Sequence, residues 1–325
     1  MNRVGVDVGG TFTDLILADD EMAKVKTYKV PSTPGDQSVG VIQGIRELCE
    51  LAEIPVSQIS QVLHGTTVAT NIAIEKNGAT VGMITTRNYR DILHIARHKK
   101  VENFSIQQDL PWQSSPLVKR RHRLTVSEKL AAPDGTVKVP IDELEVREAA
   151  LHLKTAKVDA VIICFLFSFL NDIHEKRAKE IVQEVWSEAI VYTSSEVVPQ
   201  IREYERFSTT AMNAYVAPKV IQYVMRLQEK LQSLGLRSEL LLQSYGGVAS
   251  PRAVFSRPVT LLKSGPAGGV LAAAWWGELE QIPNIIPIDI GGTSAYCQGN
   301  GIRDVSNVLL IYYPGIGRPG CWYLC

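Results

Sequence analysis

The chain has no surplus of either charge: 34 Lys plus Arg stand against 34 Asp plus Glu in 325 residues. No broad field therefore favours nucleic acid or an anionic membrane. Cysteine is scarce. The five residues (Cys49, Cys164, Cys297, Cys321 and Cys325) show no CxxC or zinc-like spacing. Their odd number and the apolar settings of Cys49 and Cys164 argue against a disulfide framework and for buried, reduced thiols. Long hydrophobic runs are missing, since the longest, Ala160 to Leu170, is too short to span a bilayer. No basic-then-apolar leader precedes Val4. These absences point to a cytoplasmic protein without membrane contact. What remains is a chain 45% hydrophobic and 21% charged, an ordinary globular composition with enough length for two domains.

Its most informative stretch is Val4-Gly5-Val6-Asp7-Val8-Gly9-Gly10-Thr11-Phe12-Thr13-Asp14. An apolar strand enters a Gly-Gly turn and leaves as a second strand, Leu15 to Ala18. Gly9 and Gly10 allow close backbone approach to an anion, and Thr11 and Thr13 add hydroxyl donors. Asp7 places a carboxylate at the strand end. Near the other end of the chain, Ile286-Pro287-Ile288-Asp289-Ile290-Gly291-Gly292-Thr293-Ser294-Ala295 repeats the pattern. No Gly-Lys-Ser/Thr follows either turn, which excludes a Walker loop. The first turn returns as a strand, which excludes a Rossmann fingerprint. One such turn is a generic tight turn; two can grip β- and γ-phosphates from both sides. Asp7 and Asp289 would then hold Mg²⁺ or its waters.

Between the two turns, strand and helix patterns alternate. Strands are expected at Lys24 to Val30, Gln61 to Leu63, Ala79 to Thr85, Ala160 to Phe165, Ile190 to Thr193 and Leu240 to Gln243. Helices are expected at Asp36 to Ala52, at Val68 to Lys76 with Gly78 as its C′ residue, at Ile141 to Thr155 and at Asp172 to Ser187. A long helical stretch runs from Arg202 to Leu234, with Pro218 marking a kink or break. Residues 88–140 look irregular, an insert on a first domain covering 1–193, with a second domain over 194–325. The basic run Lys119 to Arg123 is expected to be a solvated surface, because it lacks interleaved aromatics. Trp275 and Trp276 read as core or lobe-interface packing.

Three further stretches hold polar groups at element ends. His64-Gly65-Thr66-Thr67 closes a strand at a helix start, a place suited to an anion, so His64 is a candidate for orienting substrate or an attacking water. Asn71 and Glu75, one turn apart, could add contacts. Arg202, Glu203, Glu205 and Arg206 fit a solvated helix face. The following Ser208-Thr209-Thr210 run, unusual inside a helix, suggests that the helix borders a ligand cleft. Ser264-Gly265-Pro266-Ala267-Gly268-Gly269 is a small-residue helix start, read as hinge or packing.

Taken together, the two Asp-x-Gly-Gly-Thr turns resemble the phosphate motifs of the actin/hexokinase/Hsp70 superfamily. His64 to Asn71, Arg202 to Thr210 with Asn213 to Tyr215, and Leu262 to Gly269 narrow the likeness to the A-type subunit of the hydantoinase/5-oxoprolinase family. The resemblance implies an α/β, actin-like (ribonuclease H-like) ATPase fold with mixed sheets and two lobes. It implies ATP and Mg²⁺ as cofactors, and opening of a cyclic amide of hydantoin, N-methylhydantoin or 5-oxoproline type after phosphorylation of the amide oxygen. Catalytic roles fall on Asp7, His64 and Glu203. Phosphate contacts fall on Gly9, Gly10, Thr11, Thr13, Asp289, Gly291, Gly292, Thr293 and Ser294, and metal contacts on Asp7 and Asp289. A B-type hydantoinase subunit is the implied partner, and self-association stays open. Alternatives are an acetone-carboxylase-type β subunit and an inactive nucleotide-binding or docking fragment. The last arises because the likeness stops after Ala295: Tyr296-Cys297-Gln298-Gly299 replaces the family's acid and apolar strand. The expectation is therefore a shortened second lobe.

Overall fold

A computed structural model describes residues 1–20, 24–33, 35–97, 104–108, 110–282, 284–290, 295–298 and 308–311. The chain opens with β1 (Asn2–Val8), β2 (Phe12–Asp19), β3 (Lys24–Pro31), α1 (Gln37–Ala52), β4 (Ile59–Thr66) and α2 (Val68–Ile74). Then come β5 (Val81–Thr86), α3 (Ile92–Ile95), α4 (Pro111–Ser114), β6 (Arg123–Val126), β7 (Lys129–Leu130) and β8 (Val137–Val139). They are followed by α5 (Glu143–Thr155), β9 (Ala160–Cys164), α6 (Ile173–Val185), β10 (Val191–Thr193), α7 (Ser194–Val197) and α8 (Glu203–Ser233). The last elements are β11 (Glu239–Leu242), β12 (Val248–Ala249), α9 (Pro251–Ser256), α10 (Ser264–Leu279), β13 (Ile288–Ile290), β14 (Ala295–Gln298) and β15 (Val308–Ile311).

Two compact units form, Met1–Glu75 with Lys219–Cys325, and Lys76–Pro218. They are cut differently from a division at 193/194. The chain leaves the first unit after α2 and rejoins it within α8. That helix passes through Pro218 unbroken, so the expected break is absent, although the unit boundary falls there.

The first unit is built on a six-stranded mixed sheet in the order β12-β11-β4-β1-β2-β3. β1, β2 and β3 form an antiparallel meander, and β4 and β11 run parallel to β1. This is the ribonuclease H-like arrangement that the phosphate turn led one to expect. Alternation along β1 (Val4, Val6, Val8) and β2 (Leu15, Leu17) gives one buried apolar face. Helix α1 lies on that face through Val41, Ile45 and Leu48, all 0% exposed. Asp36 caps α1 by accepting from Ser38 N. The same carboxylate takes Lys230 Nζ at 2.7 Å, which ties α1 to α8.

The second unit has a four-stranded, all-parallel sheet in the order β10-β9-β5-β6. Strands β5 and β9 are buried on both faces, as parallel strands between helices must be. α5 and α6 pack on the sheet through Val146, Ala150, Leu153, Ala178, Ile181 and Val182. Three expectations need correction here. Arg123–Val126 is strand β6, paired with β5, so residues 88–140 are not wholly an insert. The basic run is not wholly solvated either, because His122 and Arg123 are 6% and 1% exposed. Gly78 does not cap α2. Lys76 takes the left-handed conformation (φ 55°), and Gly78 is needed because a Cβ there would stand 2.3 Å from the Tyr215 ring.

In the first unit, Trp275 and Trp276 of α10 are 62% and 54% exposed, so they are surface residues and not core. Among the described residues no helix is long and apolar enough to cross a membrane.

Candidate nucleotide-binding site

Register decides which side chains can meet. Parallel pairing sets Val6 beside His64, Asp7 beside Gly65 and Val8 beside Thr66. Because side chains alternate between faces, His64 shares the buried face with Val6, while Asp7 and Gly65 share the other. Asp7 is exposed. A Cβ on Gly65 would lie 3.3 Å from Asp7 Oδ1, and one on Gly265 would lie 3.5 Å from it. Two glycine backbones therefore lie beside this carboxylate: a side chain at 65 would crowd it, and one at 265 would touch it at ordinary van der Waals distance.

The turn after β1 is held from behind. Gly9 N donates to Phe12 O at 3.0 Å, and a Cβ on Gly9 would stand 3.0 Å from that oxygen. Close approach is thus what requires glycine here. Ser32 Oγ donates to Gly9 O at 2.8 Å and meets Thr13 Oγ1 at 3.0 Å, while Ser32 N donates to Thr11 O at 2.9 Å. Thr13 is fully buried, so it braces the turn and does not line it. Gly10 and Thr11 are exposed, and their amides make no hydrogen bond among the described residues. Two free N–H groups at a turn tip beside a carboxylate suit an anion accompanied by a cation.

The end of β4 and the start of α10 complete the surroundings. Thr67 donates to Val8 O through N (3.3 Å) and Oγ1 (3.1 Å), and Asn71 Nδ2 donates to Thr67 Oγ1 at 3.3 Å. Ser264 Oγ donates to Thr66 O at 2.9 Å. Lys263 is left-handed (φ 61°), and its amide donates to Thr70 Oγ1 at 2.9 Å. These bonds pin the first turn of the sixteen-residue α10 against β4 and bring Gly265 to Asp7. The positive end of a helix dipole at that position favours phosphate. Ser264 to Gly269, read from sequence as hinge or packing, thus borders the site.

His64 is 1% exposed, and its Nε2 lies 2.7 Å from Tyr223 Oη. Burial lowers its pKa to about 4, so it is neutral at pH 7. It sits behind the sheet from Asp7 and cannot share a ligand with that carboxylate. On the same buried face, Glu239 is 8% exposed with neither carboxylate oxygen bonded among the described residues. Burial raises its pKa to about 7. Neither Tyr223 nor Glu239 was marked in the sequence, where nothing distinguishes them from surface positions.

Glu203 opens α8 in the second unit and is exposed. Its neighbour Arg206, expected on a solvated face, is 1% exposed. Its guanidinium donates to Ser194 Oγ, Gln200 O and Phe165 O at 3.1, 2.9 and 2.9 Å. The Glu175 carboxylate accepts from Ser194 Oγ at 2.6 Å, Phe165 N at 2.8 Å and Ser195 N at 2.8 Å. Ser208 and Thr210 return their hydroxyls to Glu205 O and Arg206 O. A buried internal network and helix back-bonding thus account for that stretch without a ligand.

Asp289 lies in β13 opposite Tyr296. Gly291, Gly292, Thr293 and Ser294 lie outside the described residues. A groove of about 520 Å³ between α1 and α8, lined by Val39, Ile42, Arg46 and Lys230 among others, contains none of the expected site residues. The Asp7 site is defined by backbone approach and free donors.

Comparison with known proteins gives a consistent answer. The family profile described as hydantoinase/oxoprolinase N-terminal region matches residues 3–186, and that described as hydantoinase/oxoprolinase matches residues 206–297. The caprolactamase subunit alpha of Pseudomonas jessenii is 35% identical over 297 residues, covering 90% of this chain and 42% of that one. The solved ATP-dependent caprolactamase of the same organism superposes with a TM-score of 0.79 at 33% identity, over 91% of this chain and 43% of that one. A nucleotide-free acetone carboxylase superposes with a TM-score of 0.82 at 25% identity, over 91% and 44%. The chain spans less than half the length of these relatives.

Proposed function

The chain belongs to the hydantoinase/oxoprolinase family, and we propose that it carries the first phosphate turn of an ATP- and Mg²⁺-dependent cyclic amide hydrolase. The substrate class is a hydantoin, N-methylhydantoin or 5-oxoproline. The observation behind this reading is the cradle at Asp7: an exposed carboxylate approached by Gly65 and Gly265, beside the free amides of Gly10 and Thr11. ATP, when bound, supplies the phosphoryl group that activates the amide oxygen toward water.

The chain's own part is to bind and orient. Gly10 and Thr11 amides donate to phosphate oxygens, and the start of α10 adds partial positive charge. Asp7 holds Mg²⁺ directly or through water, an ion that needs only one or two carboxylates beside phosphates. Asp289, Gly291, Gly292, Thr293 and Ser294 form the second phosphate turn. Glu203 faces the substrate, and His64 positions β4 from behind. A B-type subunit is the partner, and the cytoplasm is the compartment. Amide hydrolysis ranks ahead of ketone carboxylation because the caprolactamase subunit alpha is 35% identical, against 29% for an acetophenone carboxylase gamma subunit and 27% for an acetone carboxylase beta subunit.

The test is ATP hydrolysis by the chain with its B-type partner, with and without 5-oxoproline or hydantoin. The rise on adding substrate should fall about 100-fold in Asp7→Asn, equivalent to roughly 3 kcal/mol of transition-state stabilisation. Stimulation that survives Asp7→Asn sinks the assignment. Dependence on bicarbonate and a ketone instead would move the chain to the carboxylase reading.

A further inference from the structure

Helix α10 of the first unit inverts the usual pattern of a surface helix. From Ser264 to Gly277 it carries no charged residue. Its buried positions, Ser264, Pro266, Ala267 and Gly277, are small. The large side chains point outward: Leu271, Trp275, Trp276 and Leu279 are 41%, 62%, 54% and 57% exposed. Leu271, Trp275 and Leu279 recur every fourth residue and share one stripe, with Trp276 beside it. The two indole rings stand 6.3 Å apart. At the other end of the stripe Leu271 borders the β11–β12 turn, where a Cβ on Gly246 would lie 3.1 Å from Leu271 Cδ1 and Tyr245 is 60% exposed. A helix apolar all round is one made to be buried. Single exposed apolar residues need no explanation, but a run of them with paired tryptophans marks a surface that seats another molecule.

We propose that this face of α10 docks a polypeptide equivalent to the share of its relatives that this chain does not span. Ninety per cent of the chain aligns with only 42% of the caprolactamase subunit alpha, and its fold superposes on 43% of the solved enzyme. More than half of that protein thus has no counterpart here. The family match stops at residue 297, soon after α10 ends at Leu279. The helix therefore lies at the edge of the shared region, where the unmatched polypeptide can reach it. A lipid surface fits poorly. At sixteen residues α10 is too short to span a bilayer, it has no Lys or Arg, and Glu278 and Glu280 make its exposed end acidic. The occupant presents apolar side chains to the two indoles and cations at the rim toward Glu280 and the last helix carbonyls. Docking does not use the Asp7 carboxylate, so the two readings stand or fall separately.

The probe is the unmatched part of the Pseudomonas jessenii caprolactamase subunit alpha, co-expressed with the full chain and followed by size-exclusion chromatography with light scattering. A one-to-one complex is expected, with a Kd of about 1 µM or below. Trp275→Glu combined with Trp276→Glu should weaken it about 30-fold or more, as loss of central tryptophan anchors does. The far-UV spectrum should not change, because both side chains are exposed. Should the double variant fail to fold, Leu279→Glu on the same stripe repeats the test. Asp7→Asn should leave the complex intact, so a failed phosphate site and a failed docking face give different results. A probe soluble only alongside the wild-type chain, and not alongside the variant, also upholds the face. A soluble probe that forms no complex, a probe insoluble with both chains, or a complex that the variants retain overturns the proposal. So does a dimer of the chain alone that the variants dissolve, which assigns the face to a second copy.

Discussion

The hairpin β1–β2 and the hairpin β13–β14 have the same register. In the first, Val8 faces Thr13 and Asp7 faces Asp14 across a four-residue turn; in the second, Ile290 faces Ala295 and Asp289 faces Tyr296. Each continues as a meander, β1-β2-β3 and β13-β14-β15. Their settings differ. β1 has β4 on its other side, with Gly65 beside Asp7, and α1 over its apolar face. β13 has no further strand partner among the described residues. At the position matching Val6, which is 4% exposed, the second hairpin has Ile288 at 66%. A glycine hairpin is therefore only the start of a phosphate site. The neighbouring strand and helix supply the close backbones and the buried face that fix the acid in place.

Core truncation should separate the hairpins most strongly. Leu15→Ala removes a side chain 2% exposed in β2, packed where Gly44 of α1 comes close. A loss of about 2–5 kcal/mol in urea unfolding is expected. Ile288→Ala should change stability by less than about 0.5 kcal/mol, as exposed substitutions do. Equal losses would mean that the second hairpin is as deeply packed as the first.

Much of this was legible in sequence because strand periodicity and glycine turns are local signals. The β1–β2 hairpin, α1 and the α/β alternation of the second unit follow from such signals. Face and burial do not, since they depend on register and on distant partners. His64 looked catalytic beside Gly65 and two threonines, but its pairing with Val6 turns it to the side opposite Asp7. Arg206 looked solvated because its acceptors, Ser194, Gln200 and Phe165, come from other segments. Gly78 looked like a cap, and its real constraint is a ring 137 positions along, at Tyr215. Gly265 drew notice as a hinge, and only the folded chain brings it to Asp7.

The buried face behind β1 should also show itself in acid and base. Glu239 has a folded pKa raised to about 7 from 4.5. The folded state therefore holds a proton that the unfolded chain has lost, and stability falls as pH rises from about 4.5 to 7. His64 is lowered to about 4 from 6.5. Here the unfolded chain takes up the proton first, so stability falls as pH drops from about 6.5 to 4. The two slopes oppose each other and give wild type a flat profile between about pH 4.5 and 6.5. Glu239→Gln removes one of them. This variant should gain up to about 3 kcal/mol over wild type at pH 8, and should lose stability steadily on acidification below pH 6.5. Parallel pH profiles for the two proteins would show that Glu239 is not buried as an acid.

The smallest effect concerns the residue that distinguishes the two turns most directly. Asp14→Tyr gives the first hairpin the Tyr296 of the second. Asp14 and Lys29 form an ion pair at 2.9 Å, but both are more than half exposed, so the pair contributes at most about 1 kcal/mol. The substitution also removes a carboxylate directly opposite Asp7, a like-charge pairing that disfavours the strand register. The two changes partly cancel, and a net shift within about 0.5 kcal/mol is expected, shrinking further in 1 M salt where exposed charges are screened. A loss well beyond that, unaffected by salt, would mean that Asp14 does more for the first turn than pair with Lys29. The replacement of an acid by Tyr296 would then be a functional difference between the hairpins and not a neutral one.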